Sequence, residues 1–512
     1  MPLKYGACAT GHPACTQPAA EILEDGGNAV DAAIAAAATT CVAEPALASL
    51  GGGGFALVHR PGGQPVLHDF FPMTPSRDHR SNDVDIRTID AEFGTATQPF
   101  HIGLGTAAVP GTTRGLFSLH QDLGAVPIRR VLEPAIRAAR EGVITTPQQA
   151  YINRVIGAIL LATPGSRSVF AGAADGSELP EAGSRFRWPD LADLLDALAH
   201  EDDRLMYEGE VGRAIAAMCA DRGGWITEDD LIDYRVVRRT PLRIGYRGWS
   251  VLSNPAPAVG GALVALTLSL FETRLASDWS VTSLETLQHM GRALAVAGDI
   301  AEHTADEILA AWQPDALTAH RARLAAGAPV VARGTTQISV VDRHGTAVAM
   351  TLSNGEGCGI MGPGGGFMLN NIMGEPDLCR DGPDVFPAKT RLASMMAPTL
   401  ASDRNGRLLV CGSGGSRRIR SAIPQVISHV VDEGLPLDIA VEAGRMHWQD
   451  GELHVEGDGD PRLVDCAESL SRAPHVWPER SMFFGGVNAV LTNGVAGMAA
   501  ADSRRGGSGW VK

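Results

Sequence analysis

Residues 333–342 read Arg333-Gly334-Thr335-Thr336-Gln337-Ile338-Ser339-Val340-Val341-Asp342. From Thr336 to Val341 polar and apolar residues alternate, which predicts a strand with one buried face. His344-Gly345 supplies a turn, and Ala347–Leu352 returns as a second strand, so the stretch predicts a β-hairpin. By itself, a Thr-Thr pair opening a strand needs no chemistry, because threonine favours strands. Downstream, Leu408–Cys411 reads as another apolar strand, and Ala422–Asp432 as an amphipathic helix ended by Gly434.

The N-terminal part has a different character. Gln17–Asp25 predicts a short helix stopped by Gly26-Gly27. Asn28 then caps a second helix, with Asp31 in the capping-box position. Its body, from Ala29 to Cys41, is nearly all Ala, Val and Ile, and a helix apolar all round is a buried one. After Gly51–Gly54, the run Phe55-Ala56-Leu57-Val58, the turn Pro61-Gly62-Gly63 and Val66–Phe70 predict a hairpin. Residues 110 to 330 read as mainly helical, with apolar helical spacing in Leu191–Leu198, Val211–Cys219 and Leu284–His303. Leu242–Val251 is the strand-like exception. Strands and helices thus mix in both halves, with no internal repeat and no low-complexity linker.

The 512 residues are 45% hydrophobic and 20% charged, enough for a sizeable core. A formal net charge of −15 argues against a nucleic-acid partner, which would call for a basic face. No 18-residue apolar run free of polar breaks is present, so no membrane span is expected. The first residues lack the apolar core of a signal peptide, which gives a cytoplasmic expectation. Cys8, Cys15, Cys41, Cys219, Cys358, Cys379, Cys411 and Cys466 form no C-x-x-C pair and are read as reduced, mostly buried thiols. Metal-ligand spacing is absent, and neither a metal nor a cofactor is expected. The 60 glycines cluster at Gly51–Gly54, Gly357–Gly366 and Gly412–Gly415, inside apolar sequence, as they do where backbone closes on a ligand or makes tight turns.

Several of these pieces occur together in one order. They include Gly26–Ala33, Glu44-Pro45, Gly51–Phe55, Val109–Thr112, Leu132–Ile136, Ile226–Leu231, Tyr246–Gly248 and Gly260-Gly261. Thr335–Asp342, Gly366–Asn371, Ser394-Met395 with Pro398-Thr399, and Gly414–Arg417 follow. In this set and order the chain resembles the γ-glutamyltranspeptidase family of N-terminal-nucleophile hydrolases over nearly its whole length. The resemblance implies an α+β fold, a four-layer αββα sandwich, made as a single precursor. It implies self-cleavage between Gly334 and Thr335, giving a large subunit, 1–334, and a small one, 335–512, that form one composite domain. A homodimer of such two-chain units is compatible with it.

The implied chemistry is physically coherent. A Thr hydroxyl is a weak nucleophile without an adjacent base, and an N-terminal Thr carries one in its own α-amine, with an ordinary pKa of about 7.7–8.0. Before cleavage that nitrogen is an amide, so the cut creates the catalyst. Gly334 has no side chain to crowd attack on its carbonyl. The resemblance makes Gly414 and Gly415 donors to an oxyanion, each such donor being worth about 3–4 kcal/mol of barrier. It places Ser353 where the family has a Thr that bonds the nucleophile's amine, and Ser394 on the second of two serines at the donor's α-carboxylate.

The departures concern the substrate. Where transpeptidases carry an Arg after Asp-Phe, this chain reads Asp69-Phe70-Phe71-Pro72, so Phe71 replaces a bidentate cation by an apolar ring. The first of the serine pair is Ala393. Gly355 replaces the family's Asn, with Asn354 next to it, and Gly374-Glu375 stands at the acidic pair, leaving Glu375 to bind a cation. Phe71, Asn354, Glu375 and Ser394 are therefore the candidate substrate contacts. Arg77, Arg80 and Arg391 are candidates to take over a carboxylate. Gln337 stands where many relatives have His, without an evident mechanism. Met373–Lys389, rich in Pro, Gly and Asp, reads as a candidate lid.

The expectation is an amide hydrolase or acyltransferase acting on a small-molecule donor other than ordinary glutathione. A cephalosporin or glutaryl acylase-like amidase is one alternative. Another keeps the nucleophile but cleaves a C–C bond of a 4-alkyl-proline-type precursor in antibiotic biosynthesis. A non-catalytic binding relative is a third, against which the intact Gly334-Thr335 and Gly414-Gly415 speak. Gly357-Cys358-Gly359-Ile360-Met361-Gly362 fits a dinucleotide fingerprint, but Pro363–Gly366 cannot open the helix that would hold a pyrophosphate.

Overall fold

The computed structural model describes residues 3–76, 84–93, 96–172, 178–280, 283–301, 305–311, 316, 335–375, 387–449, 451–457, 460–471 and 473–512. Two antiparallel sheets carry the architecture. The first runs in the order Ser508–Val511, Gly6–Thr10, Thr336–Asp342, Ala347–Ser353, Gly53–His59, Val66–Phe70 and Val237–Arg239. The second runs Gly497–Ala501, Gly486–Thr492, Leu408–Gly414, Thr399–Ser402, Trp249–Ser253 and Leu242–Tyr246. The expected hairpins at 336–352 and 55–70 are present, with Thr336 opposite Leu352 and Val341 opposite Ala347 in the first, and the strand-like stretch at Leu242–Val251 resolves into a further hairpin of Leu242–Tyr246 with Trp249–Ser253.

The two-residue period of the strands sorts the core. In the hairpin at 336–352, Ile338, Val340, Val348, Met350 and Leu352 share one apolar cluster with the helix Ala29–Ala43. Val341, Ala347 and Ala349 belong to the other cluster, with Leu409, Val410 and Cys411 of the second sheet. One face of the first sheet therefore takes helices and the opposite face takes the second sheet. The helices Gly260–Phe271 and Ile419–Val431 pack on the second sheet and on each other.

The helix Ala29–Ala43 follows its sequence closely. Asn28 Oδ1 accepts the N–H groups of Val30 and Asp31 at 2.8 and 3.0 Å, and the Asp31 carboxylate accepts the Asn28 N–H at 3.0 Å. All its residues are buried, as an apolar-all-round helix requires. The preceding helix spans Pro13–Glu24, four residues earlier than the apolar pattern begins, because His12 caps it and Pro13 suits its first turn. Leu191–Leu198 and Val211–Cys219 fall inside the helices Pro189–Glu201 and Glu210–Asp221.

One expectation is corrected. The helix read as amphipathic spans Ile419–Val431, and its polar residues Arg420, Ser421, Gln425, Ser428 and His429 are buried. Gln425 spends its polarity on neighbours: it donates to the Ser421 and Met446 carbonyls and accepts the Met446 N–H at 3.0 Å. Burial pulls His429 down to about 4, so it packs as a neutral ring.

The seven described cysteines are free and buried. Cys379 lies outside the described residues. No described helix is long and apolar enough to cross a membrane.

Candidate active site

The register of the first sheet builds the site. Thr336 pairs with Leu352, and Ser353 pairs with Gly53 on the next strand. Continuing that register by one step puts Thr335 opposite Ser353. Side chains alternate along the strand: Ile338 and Val340 face the helices, while Gln337 and Ser339 face the second sheet. Thr335 shares the parity of Gln337, so its side chain faces the second sheet too. There the strand Leu408–Gly414 ends. A Cβ on Gly414 would lie 1.9 Å from the Thr335 carbonyl oxygen, closer than any side chain permits. Gly415 follows with φ +107, the left-handed region, and opens the 3-10 turn Ser416–Arg418 ahead of the helix Ile419–Val431. Two glycines thus allow the chain to close on Thr335 and then turn sharply away.

Thr335 and Ser353 are 4% and 5% exposed, so the hydroxyls lie in a largely dry environment. Ser353 Oγ accepts the Gly355 N–H at 3.1 Å, which fixes the chain just past the strand. Gly334, the other partner in the expected cut, lies outside the described residues. Gln337 has a physical role the sequence did not disclose. Its amide accepts from Thr351 Oγ1 at 2.6 Å, donates to Ser339 Oγ at 3.1 Å, and occupies the space where a Gly412 Cβ would come within 2.2 Å of its Oε1. It fills the gap between the sheets one step below Thr335.

The second part of the site is built on Asn354–Gly357 and Asn370–Glu375. Asn354 is fully buried, and neither end of its side-chain amide has a hydrogen-bond partner among the described residues. Asn371 Oδ1 accepts the N–H groups of Glu356 and Gly357 at 2.9 and 3.2 Å. At Gly355 an added Cβ would fall 2.1 Å from Asn371 Oδ1 and 2.9 Å from Glu375 Oε1, so Glu375 reaches this turn. Asn370 bonds Gly51, Ala108 and Ile372, tying the glycine run Gly51–Gly54 to this loop. The candidate lid 373–389 lies mostly outside the described residues.

Phe71 is 2% exposed, and its ring stacks on Phe55 with centroids 5.3 Å apart. It shares an apolar cluster with Ile372, Met373, Leu392, Met395 and Met396. Ser394 sits in the same wall. Its Oγ accepts the Met396 N–H at 3.1 Å, and its carbonyl accepts from Val259 and Gly260 at the start of the helix Gly260–Phe271. Where a cationic clamp was absent from the sequence, the structure has an apolar wall.

Arg391 does not replace that cation. Its guanidinium donates to the Phe71 carbonyl, to Tyr234 Oη at 2.6 Å and to the Arg235 carbonyl at 2.6 Å, and its Nε lies 3.6 Å from Asp69 Oδ1. Burial opposes its charge, but Tyr234 and Asp69 outweigh burial and hold its pKa above the ordinary value. Asp69 also accepts from Arg239 Nε at 2.8 Å. Arg77 and Arg80 lie outside the described residues.

Cysteine is a poor competitor for the nucleophile here. Burial pushes Cys8, Cys41, Cys358 and Cys411 up to about 12, and a thiol rather than a thiolate does not attack. Sequence reasoning assigned no role to two charged residues beside the site: Glu44, which it quoted only as part of the Glu44-Pro45 resemblance, and Arg505, which it did not single out. Glu44 is buried against Thr336, and Arg505 reaches the Gly414–Gly415 turn. No local pattern discloses what either one touches, because both arrive from distant elements.

Comparison with known proteins places this geometry. A family model described as gamma-glutamyltranspeptidase matches residues 15–511. The chain is 31% identical over 503 residues to the glutathione hydrolase proenzyme of Escherichia coli (strain K12), covering 91% of this chain and 85% of that one. It is 30% identical over 521 residues to the acylase ACY 1 proenzyme of Pseudomonas sp. (strain V22), covering 95% and 90%. Among solved structures, a cephalosporin acylase from Bacillus halodurans superposes with a TM-score of 0.82 at 24% identity, covering 100% of this chain and 96% of that one.

Proposed function

Since the chain belongs to the γ-glutamyltranspeptidase family, we propose that it is an N-terminal threonine hydrolase or acyltransferase that cuts itself between Gly334 and Thr335. The observation that carries this reading is the closure of the Gly414 backbone on the Thr335 carbonyl, with a left-handed Gly415 next to it. In this reading the order of helices, sheet, sheet and helices is the four-layer αββα sandwich of N-terminal-nucleophile hydrolases. Residues 1–334 and 335–512 are its two subunits.

The mechanism follows from the chain's own groups. In the precursor, the Thr335 hydroxyl attacks the Gly334 carbonyl carbon, the C–N bond breaks, and the resulting ester is hydrolysed by water. The freed α-amine then takes the proton of the Thr335 hydroxyl as it attacks a donor amide. Ser353 orients that amine. Amide N–H groups at Gly414 and Gly415 stabilise the oxyanion, and the leaving amine departs with a proton. Water, or an acceptor amine, resolves the acyl-enzyme.

The donor is an amide other than ordinary glutathione, with an apolar acyl portion. Phe71, at the position of the glutamate-binding Arg, stacks on Phe55, and the Arg391 guanidinium is held by Tyr234 and backbone carbonyls with Asp69 3.6 Å from its Nε. The family relationship to an acylase proenzyme is in keeping with such a donor.

Intact-mass analysis of the purified chain beside Thr335→Ala tests the reading. The expected result is two fragments splitting before Thr335 in wild type and one whole chain in the variant. A wild-type chain that stays whole would favour a binding protein. Once cutting is seen, turnover of apolar acyl anilides is expected to exceed that of glutathione; the reverse order would overturn the assignment of the donor.

A further inference from the structure

A buried carboxylate stands directly behind the start of the nucleophile strand. Glu44 follows the helix Ala29–Ala43, is 3% exposed, and accepts a hydrogen bond from Thr336 Oγ1 at 3.1 Å. Gly11 closes the other side: a Cβ there would fall 2.6 Å from Glu44 Oε1 and 2.7 Å from Thr336 Oγ1. The backbone can approach this hydrogen bond only because position 11 has no side chain.

The opposing charge is Arg505, at the end of the 3-10 turn Ser503–Arg505. Its Nη2 lies 3.0 Å from where a Gly415 Cβ would be, and its Nη1 3.4 Å from that of Gly414. Among the described residues its Nε and Nη1 are buried without a hydrogen-bond acceptor, and Nη2 donates to the Met482 carbonyl at 3.3 Å. One carboxylate therefore touches the residue after Thr335, and one guanidinium touches the oxyanion turn. The mechanism above uses neither.

We propose that Glu44, through Thr336 and opposite Arg505, is a positioning residue that holds Thr335 against the Gly414–Gly415 turn. The proposal rests on the reading of Thr335 as the nucleophile. Its physical basis is the strand's alternation. Anchoring the Thr336 side chain on the helix side fixes the rotation of the strand end, so Thr335 must face the second sheet. A charge-assisted hydrogen bond resists fraying there better than a neutral one. Glu44 comes from residues 1–334, and Thr336 and Arg505 from 335–512, so the contact spans the cut.

The groups facing Glu44 are Thr336, Cys15 of the helix Pro13–Glu24, Cys41 of the helix Ala29–Ala43, and Arg505. Burial lifts the Glu44 carboxyl to about 7, with Thr336 and Arg505 pulling it back. Both cysteines are held as thiols. Arg505, lowered by burial to about 10, stays charged. His12, beside Gly11, is pulled by burial to about 4 and stays neutral. Glu44 is thus the member of this group that titrates near neutrality, and its anchoring weakens as pH falls through about 7.

The test follows self-cleavage of the full chain made by cell-free translation, with fragments timed by intact mass. Thr335→Ala, Glu44→Gln, Thr336→Val and Thr336→Ser are compared at pH 6 to 8. Glu44→Gln and Thr336→Val are expected to slow cutting by about tenfold at pH 7.5, and Thr336→Ser to restore it. The wild-type rate is expected to fall as pH drops through about 7, and the Glu44→Gln rate to lack that step. Glu44→Gln and Thr336→Val cutting at the wild-type rate, beside an uncut Thr335→Ala, would overturn the positioning role and leave the nucleophile standing. Cutting of Thr335→Ala would instead remove the nucleophile reading itself. If Glu44→Gln fails to fold, the Thr336 pair decides: equal rates for Val and Ser, fast or slow, overturn the proposal.

Discussion

At Gly414 a single methyl group separates a working site from a blocked one. A Cβ there would sit 1.9 Å from the Thr335 carbonyl oxygen, so Gly414→Ala must push the strand end away from Thr335. In the proposed mechanism this turn supplies an oxyanion donor, worth about 3 kcal/mol, so Gly414→Ala is expected to slow cutting by at least about a hundredfold. Gly62→Ala is the control: its φ is +76, but nothing lies within 4 Å of the added carbon. It should cost about 1 kcal/mol of backbone strain and leave cutting untouched. Fragment yield over time, by intact mass, checks both, and equal rates would show that the turn is not part of the machinery. At this scale the sequence disclosed what is contiguous. Thr335 with Thr336, and Gly414 with Gly415, are legible because their neighbours are in the chain. Gln337 was not, since its purpose depends on Gly412 of another sheet. Nor was Arg391, whose partners Asp69, Tyr234 and Phe71 lie far away in sequence.

The helix Ala29–Ala43 shows how one element positions others. Its cap residue Asn28 closes a capping box with Asp31 and donates from Nδ2 to the Leu123 carbonyl at 2.7 Å. Asp31 also accepts the Ala125 N–H, and Asp342, at the end of the nucleophile strand, accepts the Ala29 N–H at 3.0 Å. Removing the cap with Asn28→Ala is expected to cost about 1 kcal/mol and lower the melting temperature. Calorimetry measures this directly. Self-cleavage should continue at the wild-type rate, because the helix's buried apolar body, not its first turn, backs Thr336–Asp342. A melting temperature unchanged within error would show that water replaces the cap without cost. Elements with a full signal, such as this capped helix and the hairpin at 336–352, were legible in the sequence. The strand Gly6–Thr10 carries only small residues, Gly-Ala-Cys-Ala-Thr, and has no alternating pattern to read. The helix Ile419–Val431, read from the sequence as amphipathic, carries a polar stripe that the fold buries, with Gln425 bonding Ser421 and Met446.

For the whole molecule, the cut proposed before Thr335 does not separate two bodies. In the first sheet, Thr336–Asp342 and Ala347–Ser353 lie between Gly6–Thr10 on one side and Gly53–His59 on the other. Ser508–Val511 then borders Gly6–Thr10 from outside. In the second sheet, Trp249–Ser253 pairs with Thr399–Ser402. Strands from before and after the cut therefore share ladders of hydrogen bonds in both sheets, and the apolar clusters on either side draw on both segments. Losing one peptide bond leaves all those ladders in place, whereas pulling the fragments apart would expose unpaired strand edges and both cores. The two fragments are accordingly expected to co-elute as one species on size-exclusion chromatography without denaturant, at one-to-one stoichiometry. They should part only in concentrated guanidinium chloride, together with the loss of near-ultraviolet circular dichroism. Fragments that resolve under native conditions would mean that the sheets do not interleave across the cut. That outcome would also remove the basis for Glu44 acting on Thr336, since the two residues would no longer be held together by the fold.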